Sequence, residues 1–432
     1  MPRSAFHSAL MKLSPPDRIS VIGLGYVGLP LAIALSKHFS VVGYDVSAER
    51  VAELERGHDR TGEVVAAALA QSPARFTTEP ADMAGSGVFI VAVPTPVNAD
   101  KRPDLEPLRT ACRVVGGQIG PGAVVAFEST VYPGTTEQIC GPLLAEASGL
   151  ACGTEFHLGY SPERMNPGDP EHTLENIVKI VSGQTPEVTA LLADMYGRVT
   201  ERGVHVTRDI ATAEAAKVIE NAQRDVNIAF VNEVTQIFAE LGVSAQDALD
   251  AAATKWNFLD FRPGLVGGHC IGVDPYYLAY CAQQVGCEPN MVLSGRRTND
   301  GMAAWIAGRI DGMLGGRSRI LVLGLTFKEN VPDLRNSGAA GLVASLVAAG
   351  HDVSVHDPLA DPAEAQATYG LDLLSELAGA YGCVVGAVAH RAYAAMDEKT
   401  LGALLPEGGL VADVKGMWRR LALPDTLRLW QL

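Results

Sequence analysis

The sequence lacks several features that would place it in a simple structural class. Its seven cysteines are an odd number and form no C-x-x-C pair, which argues against a disulfide framework and fits a reducing compartment. Low-complexity tracts are also absent. A content of 47% hydrophobic and 19% charged residues is typical of a globular protein.

Two further absences narrow the expected partners. The N-terminal segment has no apolar run long enough for a signal peptide or a membrane span, so we expect a cytoplasmic protein without a membrane partner. The formal net charge is −15, and no nucleic-acid partner is expected because nucleic-acid binders need a basic face. A small phosphorylated ligand is compatible with this charge, since it needs only backbone amides and one or two cations.

The length of the chain and the order of its elements predict several domains. A chain of 432 residues is too long for one compact core. Strands alternate with helices, a helical region follows, and the strand and helix alternation then restarts. We predict an α/β fold in which two Rossmann-like doubly wound domains are joined by a helical middle domain. The predicted segments are an N-terminal extension (1–17), an NAD-binding Rossmann domain (18–205), a central helical domain (206–315) and a C-terminal Rossmann-like domain (316–432).

The middle of the chain contains an unusually long helical pattern. Residues 209–241 include no glycine or proline over 33 residues, and apolar residues recur at helical spacing. Such a helix would be about 50 Å long. This length suits a spine between domains or an interface between subunits, so we expect a homodimer or a higher homo-oligomer.

The turn "GLGYVG" over residues 23–28 is the first candidate site. It follows a predicted strand and opens a helix, and Asp45 ends the next strand. In a dinucleotide-binding turn the glycines allow the tight bend, the approach of the pyrophosphate and close helix packing, and the helix N-terminus attracts phosphate. Asp45 would bind the ribose hydroxyls, which favours NAD over NADP, although Arg50 weakens this preference slightly. The predicted NAD contacts here are Gly23, Gly25, Tyr26, Val27, Gly28, Asp45 and Arg50.

Polar residues at strand ends and on the long helix are further candidates. Thr95, Thr130 and Glu163 follow predicted strands, and the carboxyl ends of parallel strands face the ligand crevice. An ordinary strand-to-loop turn explains each of them as well. Lys217 and Asn221 share one helix face, where they could hold an oxyanion or orient a water. The alternative for this pair is a solvated stripe.

The segment "GGHCIGVDPYY" over residues 267–277 raises the question of what Cys270 does. Adjacent residues such as His269 and Cys270 rarely bind one tetrahedral ion, and no other ligand pair completes a set, so no metal is expected. A buried thiol is the ordinary role of a cysteine. The preceding glycines favour a nucleophile instead, because they clear the approach to the sulfur. Spacing alone leaves the choice between thiol and nucleophile open.

Seven ordered motifs resemble the UDP-glucose/GDP-mannose dehydrogenase family over about residues 18–420. They are "GLGYVG", "VPTP", "ESTVYPGT", "SPERMNPGD", "EAAKVIENAQRDVNIAFVNE", "GGHCIGVDPYYL" and "GLTFKENVPDLRNS". The resemblance implies an NAD domain, a long helix joining two subunits and a C-terminal domain that holds the nucleotide of the sugar. It also implies a four-electron oxidation of the sugar C6 alcohol to a carboxylate, with two NAD reduced in succession.

The resemblance assigns catalytic roles residue by residue. Cys270 matches the nucleophile that forms a thiohemiacetal and then a thioester, and Asp274 matches the aspartate that orients or deprotonates water. Lys217 and Asn221 match the pair that stabilises charge on the C6 oxygen. Glu163 matches the glutamate of the water and proton network.

Further residues match family contacts to the cofactor and the substrate. Thr95, Thr130 and Arg335 would lie on the cofactor side, with Thr130 next to the nicotinamide. The implied substrate contacts are Glu163, Arg164, Lys217, Asn221, Arg262, Gly264, Gly267, Phe327 and Lys328. The C-terminal α/β segment lacks a GxGxxG, which is consistent with a nucleotide site that is not a second NAD site.

The motif variant narrows the expected substrate. "GGHCIGVDPYYL" resembles the UDP-N-acetylhexosamine 6-dehydrogenase branch, which oxidises UDP-N-acetylglucosamine or UDP-N-acetylgalactosamine for surface polysaccharide, and His269 marks that branch. UDP-glucose and UDP-N-acetylmannosamine are alternative substrates. A two-electron dehydrogenase of the 6-phosphogluconate or 3-hydroxyacid type and a non-catalytic sugar-nucleotide sensor are alternative functions.

Overall fold

The computed structural model describes residues 16–165, 171–268 and 271–432. The chain divides into two compact units, Met1–Ile219 and Glu220–Leu432. Within the described ranges, the first unit contains an eight-stranded sheet and the second a five-stranded sheet.

The first unit alternates strands and helices along the chain. Its strands are β1 (Arg18–Ile22), β2 (Ser40–Tyr44), β3 (Arg75–Thr77), β4 (Val88–Val91), β5 (Val124–Phe127), β6 (His157–Tyr160), β7 (Lys179–Gly183) and β8 (Val204–Val206). Its helices are α1 (Gly28–Ser36), α2 (Ala48–Glu55), α3 (Ala66–Gln71), α4 (Glu106–Gly116), α5 (Gly141–Ser148) and α6 (Pro186–Gly197).

The strands of the first unit follow the order β3-β2-β1-β4-β5-β6-β7-β8. Strand order reverses between β1 and β4, and such a reversal opens a ligand crevice at the carboxyl ends of the strands. β4 and β5 are buried along their whole length, as expected for parallel strands covered on both faces. The sheet departs from the predicted parallel pattern in one place, because β6 and β7 pair antiparallel.

A long helix, α7 (Ile210–Leu241), follows the first sheet and extends over 32 residues, which confirms the long helix predicted from the sequence. Asp209 caps its first turn, since its Oδ1 accepts hydrogen bonds from the Thr212 backbone N–H at 2.8 Å and the Thr212 hydroxyl at 2.6 Å. The bonds from Thr212 lower the pKa of Asp209 to about 2. A charged cap at this end also favours the helix dipole.

The second unit contains the remaining helices and strands. The helices are α8 (Ala245–Ala253), α9 (Asp274–Gln284), α10 (Asn290–Leu314), α11 (Gly338–Ala348), α12 (Pro362–Tyr369), α13 (Arg391–Ala394) and α14 (Glu398–Gly402). The strands are β9 (Arg319–Leu323), β10 (Asp352–His356), β11 (Cys383–Gly386), β12 (Leu410–Asp413) and β13 (Arg428–Gln431).

The second sheet is parallel throughout, in the order β10-β9-β11-β12-β13. One of its faces packs against residues of α10 and α11. The other face covers a cluster around Trp418, whose indole N–H donates to the Tyr393 carbonyl at 2.8 Å. The two sheets and the long helix confirm the predicted fold class, whereas the division into four segments stays a prediction.

Polar side chains fix α7 against α10 within the second unit. The Asp225 carboxylate on α7 accepts from Arg296 at 2.5 Å and from Asn299 at 2.8 Å. Asn299 in turn accepts from Asn232 at 2.8 Å. All four side chains are buried, and a buried polar group is retained when its hydrogen bonds are made. This network sets the register of the two helices.

Candidate active site

The glycine turn between β1 and α1 has the geometry of a dinucleotide cradle. Gly23 has φ +91°, and a Cβ there would lie 2.8 Å from the Ala92 carbonyl oxygen. A Cβ at Gly28 would lie 1.7 Å from the Gly23 carbonyl oxygen, whereas a Cβ at Gly25 would meet no atom within 4 Å. Gly23 and Gly28 are therefore required by packing, and Gly25 is the third glycine of the turn. The third leaves open space in front of the helix N-terminus, where a pyrophosphate can approach the backbone.

Asp45 lies directly after β2 and supports the same turn. Its Oδ2 accepts a hydrogen bond from the Leu24 N–H at 2.8 Å, and its Oδ1 accepts from the Ser47 N–H at 2.9 Å. These residues fit NAD. A pyrophosphate can approach the open side of Gly25, and the Asp45 carboxylate can accept hydrogen bonds from ribose hydroxyls. Tyr26 and Val27 complete the turn, and Val27 precedes the first residue of α1.

Arg50 lies behind the turn, where it is 3% exposed. Its Nε donates to the Leu24 carbonyl at 2.9 Å. The remaining guanidinium nitrogens donate to Glu53 at 3.0 Å and to Asp59 at 2.7 Å. Arg50 thus supports the turn through the Leu24 carbonyl, and the two carboxylates hold its guanidinium in place. Its contact with the cofactor stays a prediction.

The loops after β4 and β5 bring two predicted threonines together. The Thr95 hydroxyl donates to the Thr130 carbonyl at 2.7 Å, and the Ser129 hydroxyl donates to the Val93 carbonyl at 2.6 Å. These two crossed hydrogen bonds tie the ends of neighbouring parallel strands to each other. Thr95 and Thr130 accordingly share the edge of the sheet at which the glycine turn lies.

Glu163 follows β6 at the next position along this edge. Its Oε1 accepts from the Arg164 N–H at 2.5 Å and from the Met165 N–H. Its Oε2 is buried and has no hydrogen-bond partner among the described residues. Such an atom is available to a water or a substrate hydroxyl. The Arg164 guanidinium donates to the Val178 carbonyl at 2.9 Å, and its contact with the substrate stays a prediction.

Glu214 on α7 attaches the helix to the loop after β5. Its carboxylate accepts from the Gly134 N–H at 2.5 Å and from the Thr136 N–H at 2.8 Å. Burial raises the pKa of this carboxyl to about 7. One turn further along the helix, Lys217 is 7% exposed, and no described residue accepts a hydrogen bond from its ammonium group.

Asn221 and Asp274 meet in the second unit. The Asn221 Nδ2 donates to the Asp274 Oδ2 at 2.5 Å, and the Asn221 Oδ1 accepts from Arg224. Both residues are buried, at 2% and 1% exposure. Asp274 is the first residue of α9, a position at which the helix dipole favours a carboxylate. The structure thus joins two predicted site residues that lie 53 positions apart in the chain.

The segment before Cys270 is attached to the body of the second unit by backbone contacts. The Asn232 side chain donates to the Gly264 carbonyl at 3.1 Å and accepts from the Gly264 N–H at 2.8 Å. Further along, the Gly268 N–H donates to the Asn336 carbonyl at 3.3 Å. This segment is therefore held from α7 and from the loop after β9.

Both glycines before Cys270 are required by close packing. A Cβ at Gly267 would lie 2.8 Å from the Asn336 carbonyl oxygen, and a Cβ at Gly268, which has φ +87°, would lie 2.8 Å from the Phe327 ring. The sequence suggests that these glycines clear a path to the sulfur. The structure adds a separate reason, because Phe327 and Asn336 occupy the space in which side chains would stand.

Cys270 and His269 lie outside the described residues. Their predicted roles as nucleophile and as marker of the substrate branch stay predictions. Among the described residues, no group of three or more histidine, cysteine, aspartate and glutamate side chains is arranged to hold a metal ion.

Two arginines that were predicted to contact the substrate or the cofactor form ion pairs with nearby aspartates. Arg262 pairs with Asp250 and with Asp260, each at 2.7 Å, and the hydrogen bond that it donates to Asp260 is the main cause of its raised pKa. Arg335 pairs with Asp333, at 2.6 Å for the shortest contact. Lys328 lies in the same loop, where its carbonyl accepts from the Thr326 hydroxyl at 3.1 Å. Substrate and cofactor contacts of these residues stay predictions.

Several supporting residues were not singled out from the sequence. They are Asn232, Asn336 and the buried ion pair of Glu128 and Lys179, whose charged atoms lie 2.6 Å apart. Glu128 and Lys179 gave a weak signal, since Glu128 follows the apolar run in "VVAFEST" and Lys179 interrupts the apolar run in "IVKIVSG". Asn232 lies three helical turns after Asn221 on α7, so a search along that helix face would have found it. Asn336 gave no local signal, because its role depends on a loop from elsewhere in the chain.

Comparison with family models and known proteins agrees with this geometry. The NAD binding domain of the UDP-glucose/GDP-mannose dehydrogenase family matches residues 17–200, its central domain 211–301 and its UDP binding domain 321–420. Protein CapL of Staphylococcus aureus is 47% identical over 96% of this chain and 99% of that protein. UDP-N-acetyl-D-glucosamine 6-dehydrogenase of Pseudomonas aeruginosa is 46% identical over 92% of this chain and 96% of that protein.

A solved structure gives the same result. The UDP-D-ManNAc dehydrogenase of Pyrococcus horikoshii matches with a TM-score of 0.85 at 30% identity, over 95% of this chain and 98% of that chain. The glycine turn with its aspartate, together with the match to the family's NAD binding domain, defines an NAD-dependent dehydrogenase. The chain belongs to the UDP-glucose/GDP-mannose dehydrogenase family. The predicted family, enzyme class and NAD cofactor are thereby confirmed.

The glycine turn predicts different consequences for two similar substitutions. Gly28→Ala should lower the free energy of unfolding by about 1–3 kcal/mol or more, because its methyl group would overlap the Gly23 carbonyl. Gly25→Ala should leave that free energy nearly unchanged and weaken NAD binding, because its methyl group would stand on the open side of the turn. Denaturant unfolding and NAD titration of both variants measure this. An equal loss of stability in the two variants would contradict the assignment of the glycines.

Proposed function

We propose that this protein oxidises the C6 hydroxyl of a UDP-N-acetylhexosamine to the uronic acid, with two NAD reduced per sugar. The observation that carries the proposal is the hydrogen bond between Asn221 and Asp274. It joins an amide that can stabilise an oxyanion to a carboxylate that can handle water, four residues after Cys270. A two-electron oxidation to a ketone or an aldehyde needs no such water-handling carboxylate four residues after a cysteine.

The chemistry assigns a separate task to each residue. When bound, NAD would accept one hydride in each of the two oxidations. Cys270 would bond to the C6 aldehyde carbon as a thiohemiacetal, and the thioester left by the second oxidation would be hydrolysed. Asp274 would orient or deprotonate the attacking water, while Glu163 and Thr130 would hold water and the reacting groups in place.

Charge that develops on the C6 oxygen needs a donor in a site shielded from water. Lys217 is buried and its ammonium has no acceptor among the described residues, so it can serve a substrate oxygen. The Asn221 amide would be a second donor to the same oxygen. A preorganised cation and amide are worth far more in such a site than in water.

The N-acetylhexosamine assignment rests on the named relatives. Two proteins named UDP-N-acetyl-D-glucosamine 6-dehydrogenase, from Pseudomonas aeruginosa and Salmonella typhi, are 46% and 43% identical to this chain. Proteins named for the mannosamine and galactosaminuronic acid compounds are 35% and 33% identical. This difference supports UDP-N-acetylglucosamine as the substrate, with its galacto epimer as the alternative within the same branch. The uronic acid would be made in the cytoplasm for surface polysaccharide. In the described part of the chain, no helix has the length and apolar character needed to cross a membrane.

A homodimer built on α7 is part of the proposal. In the second unit, Phe230, Ile237 and Leu241 on this helix are 65%, 49% and 68% exposed. They are spaced seven and four residues apart and so lie along one helix face. A row of large apolar side chains on a helix surface suits contact with a second copy.

The substrate proposal predicts the outcome of a coupled NADH and product assay. The substrates are UDP-N-acetylglucosamine, UDP-N-acetylgalactosamine, UDP-N-acetylmannosamine and UDP-glucose, each with NAD in excess. We expect the highest kcat/KM with one of the first two, and two NADH for each sugar consumed. One NADH per sugar would favour a two-electron dehydrogenase. Measurable binding of both ligands without NADH formation would favour a sensor.

The nucleophile proposal predicts that Cys270→Ala loses net oxidation by at least about a thousand-fold. NAD affinity should stay near that of the wild type, because no NAD-binding residue is changed. Cys287→Ala is the matched control, since Cys287 is an exposed free thiol and its loss should leave turnover unchanged. Uronic acid production by Cys270→Ala at the wild-type rate would contradict the covalent mechanism.

A further inference from the structure

A lysine is buried in the first sheet, where apolar residues are expected. Lys179 opens β7 and is 0% exposed. Its ammonium lies 2.6 Å from the Glu128 Oε2, and the Glu128 side chain is also 0% exposed. An ion pair removed from water in this way is seldom retained for stability alone, because an apolar pair of similar volume is often as stable. The pair therefore calls for another explanation.

The remaining hydrogen bonds of Lys179 lead toward the active site. Its ammonium also donates to the Pro162 carbonyl at 3.1 Å and to the Ser161 carbonyl at 3.4 Å. These are the two residues directly before Glu163. From the other side, the Glu163 N–H donates to the Glu128 carbonyl at 3.4 Å. The Lys179 ammonium and the Glu128 backbone carbonyl thus hold the two sides of the peptide that leads into Glu163.

The antiparallel pairing of β7 explains why this lysine reaches that loop. Tyr160 pairs with Ser182 across β6 and β7, so the chain beyond the end of β6 runs alongside the start of β7. A parallel β7 would place its first residue at the opposite edge of the sheet. The antiparallel pairing of β6 and β7 therefore places the Lys179 ammonium beside the residues that follow β6 and lead to Glu163.

Glu128 is surrounded by charged and titratable groups from three elements. Lys179 faces it from β7, Glu163 from the loop after β6, and Tyr196 from α6. Burial raises the pKa of Glu128 to about 7, against the lowering effect of the Lys179 ammonium. Its Oε1 and the Glu163 Oε2 are both buried without a hydrogen-bond partner in the described residues.

We propose that Glu128 and Lys179 form a positioning pair for Glu163. Lys179 holds the Ser161 and Pro162 carbonyls, and the carboxylate of Glu128 keeps the ammonium in place. Neither side chain touches the substrate. This inference rests on the proposed function, because it assigns Glu163 to the water and proton network of that reaction. This role also explains why the two buried charges are retained, since a strand without such a role would not need them.

The first test removes the charges without leaving one of them unpaired. The double variant Glu128→Gln/Lys179→Met should fold, because it buries no lone charge, and it should bind NAD like the wild type. Its kcat should fall by at least about ten-fold with little change in KM, because Glu163 loses its support. Lys179→Arg keeps a cation with hydrogen-bond donors at this position and should retain more kcat than the double variant, although the larger guanidinium has to fit a buried site. The double variant Glu106→Gln/Arg113→Met removes an exposed pair on α4 and should match the wild type.

The second test is the pH profile of kcat, measured between pH 5.5 and 9. As the pH falls through about 7, Glu128 becomes neutral and Lys179 loses its counter-charge, so wild-type kcat should decline on the acid side. Glu128→Gln cannot ionise and should lack this decline while turning over more slowly. A double variant with wild-type kcat, or a Glu128→Gln profile identical to the wild type, would overturn the inference alone. Absence of NADH formation by the wild-type enzyme would overturn the proposed function and this inference together.

Discussion

The parallel pairing of β1, β4, β5 and β6 is the constraint on which the first unit depends. Parallel strands end at the same edge of a sheet, and each of these four is followed at that edge by a polar turn. The glycine turn, Thr95, Thr130 and Glu163 are therefore neighbours by topology before any side chain is considered. Hydrogen bonds between loops then refine their positions, such as the bond from the Thr95 hydroxyl to the Thr130 carbonyl. The cofactor cradle and the Glu163 carboxylate share one edge for this reason.

Burial of polar groups is the second common theme. Asp274, Asn221 and Glu214 are almost fully buried, and each is held by a backbone N–H or by a neighbouring side chain. Such groups are costly to leave unpaired, so their partners are part of the site. Hydrogen bonds also hold the segment that leads to Cys270, through the backbone groups of Gly264 and Gly268. The chemistry of the proposed reaction is thus supported by contacts that never reach the substrate.

The sequence predicts those parts of the structure whose causes are local. The "GLGYVG" turn could be predicted because each glycine acts within a few residues, and α7 because no residue over its length interrupts a helix. The direction of β7 could not be predicted, since antiparallel pairing depends on neighbours from elsewhere in the chain. The carboxylate partners of Arg50 and Arg262 were missed for the same reason. A lone arginine in a sequence suggests a phosphate contact, whereas its tertiary neighbours can already supply the counter-charge.

The glycine pair Gly267–Gly268 has a consequence for how new specificities can be made in this protein. Phe327 and Asn336 belong to the loop after β9, in the domain that matches the UDP binding model, and they press against the two glycines that lead to Cys270. The domain that matches the UDP binding model is therefore in direct contact with the segment that leads to Cys270. A C-terminal domain taken from a relative would bring its own loop against this glycine pair. Domain exchange should succeed only when both contact surfaces are transferred as one piece.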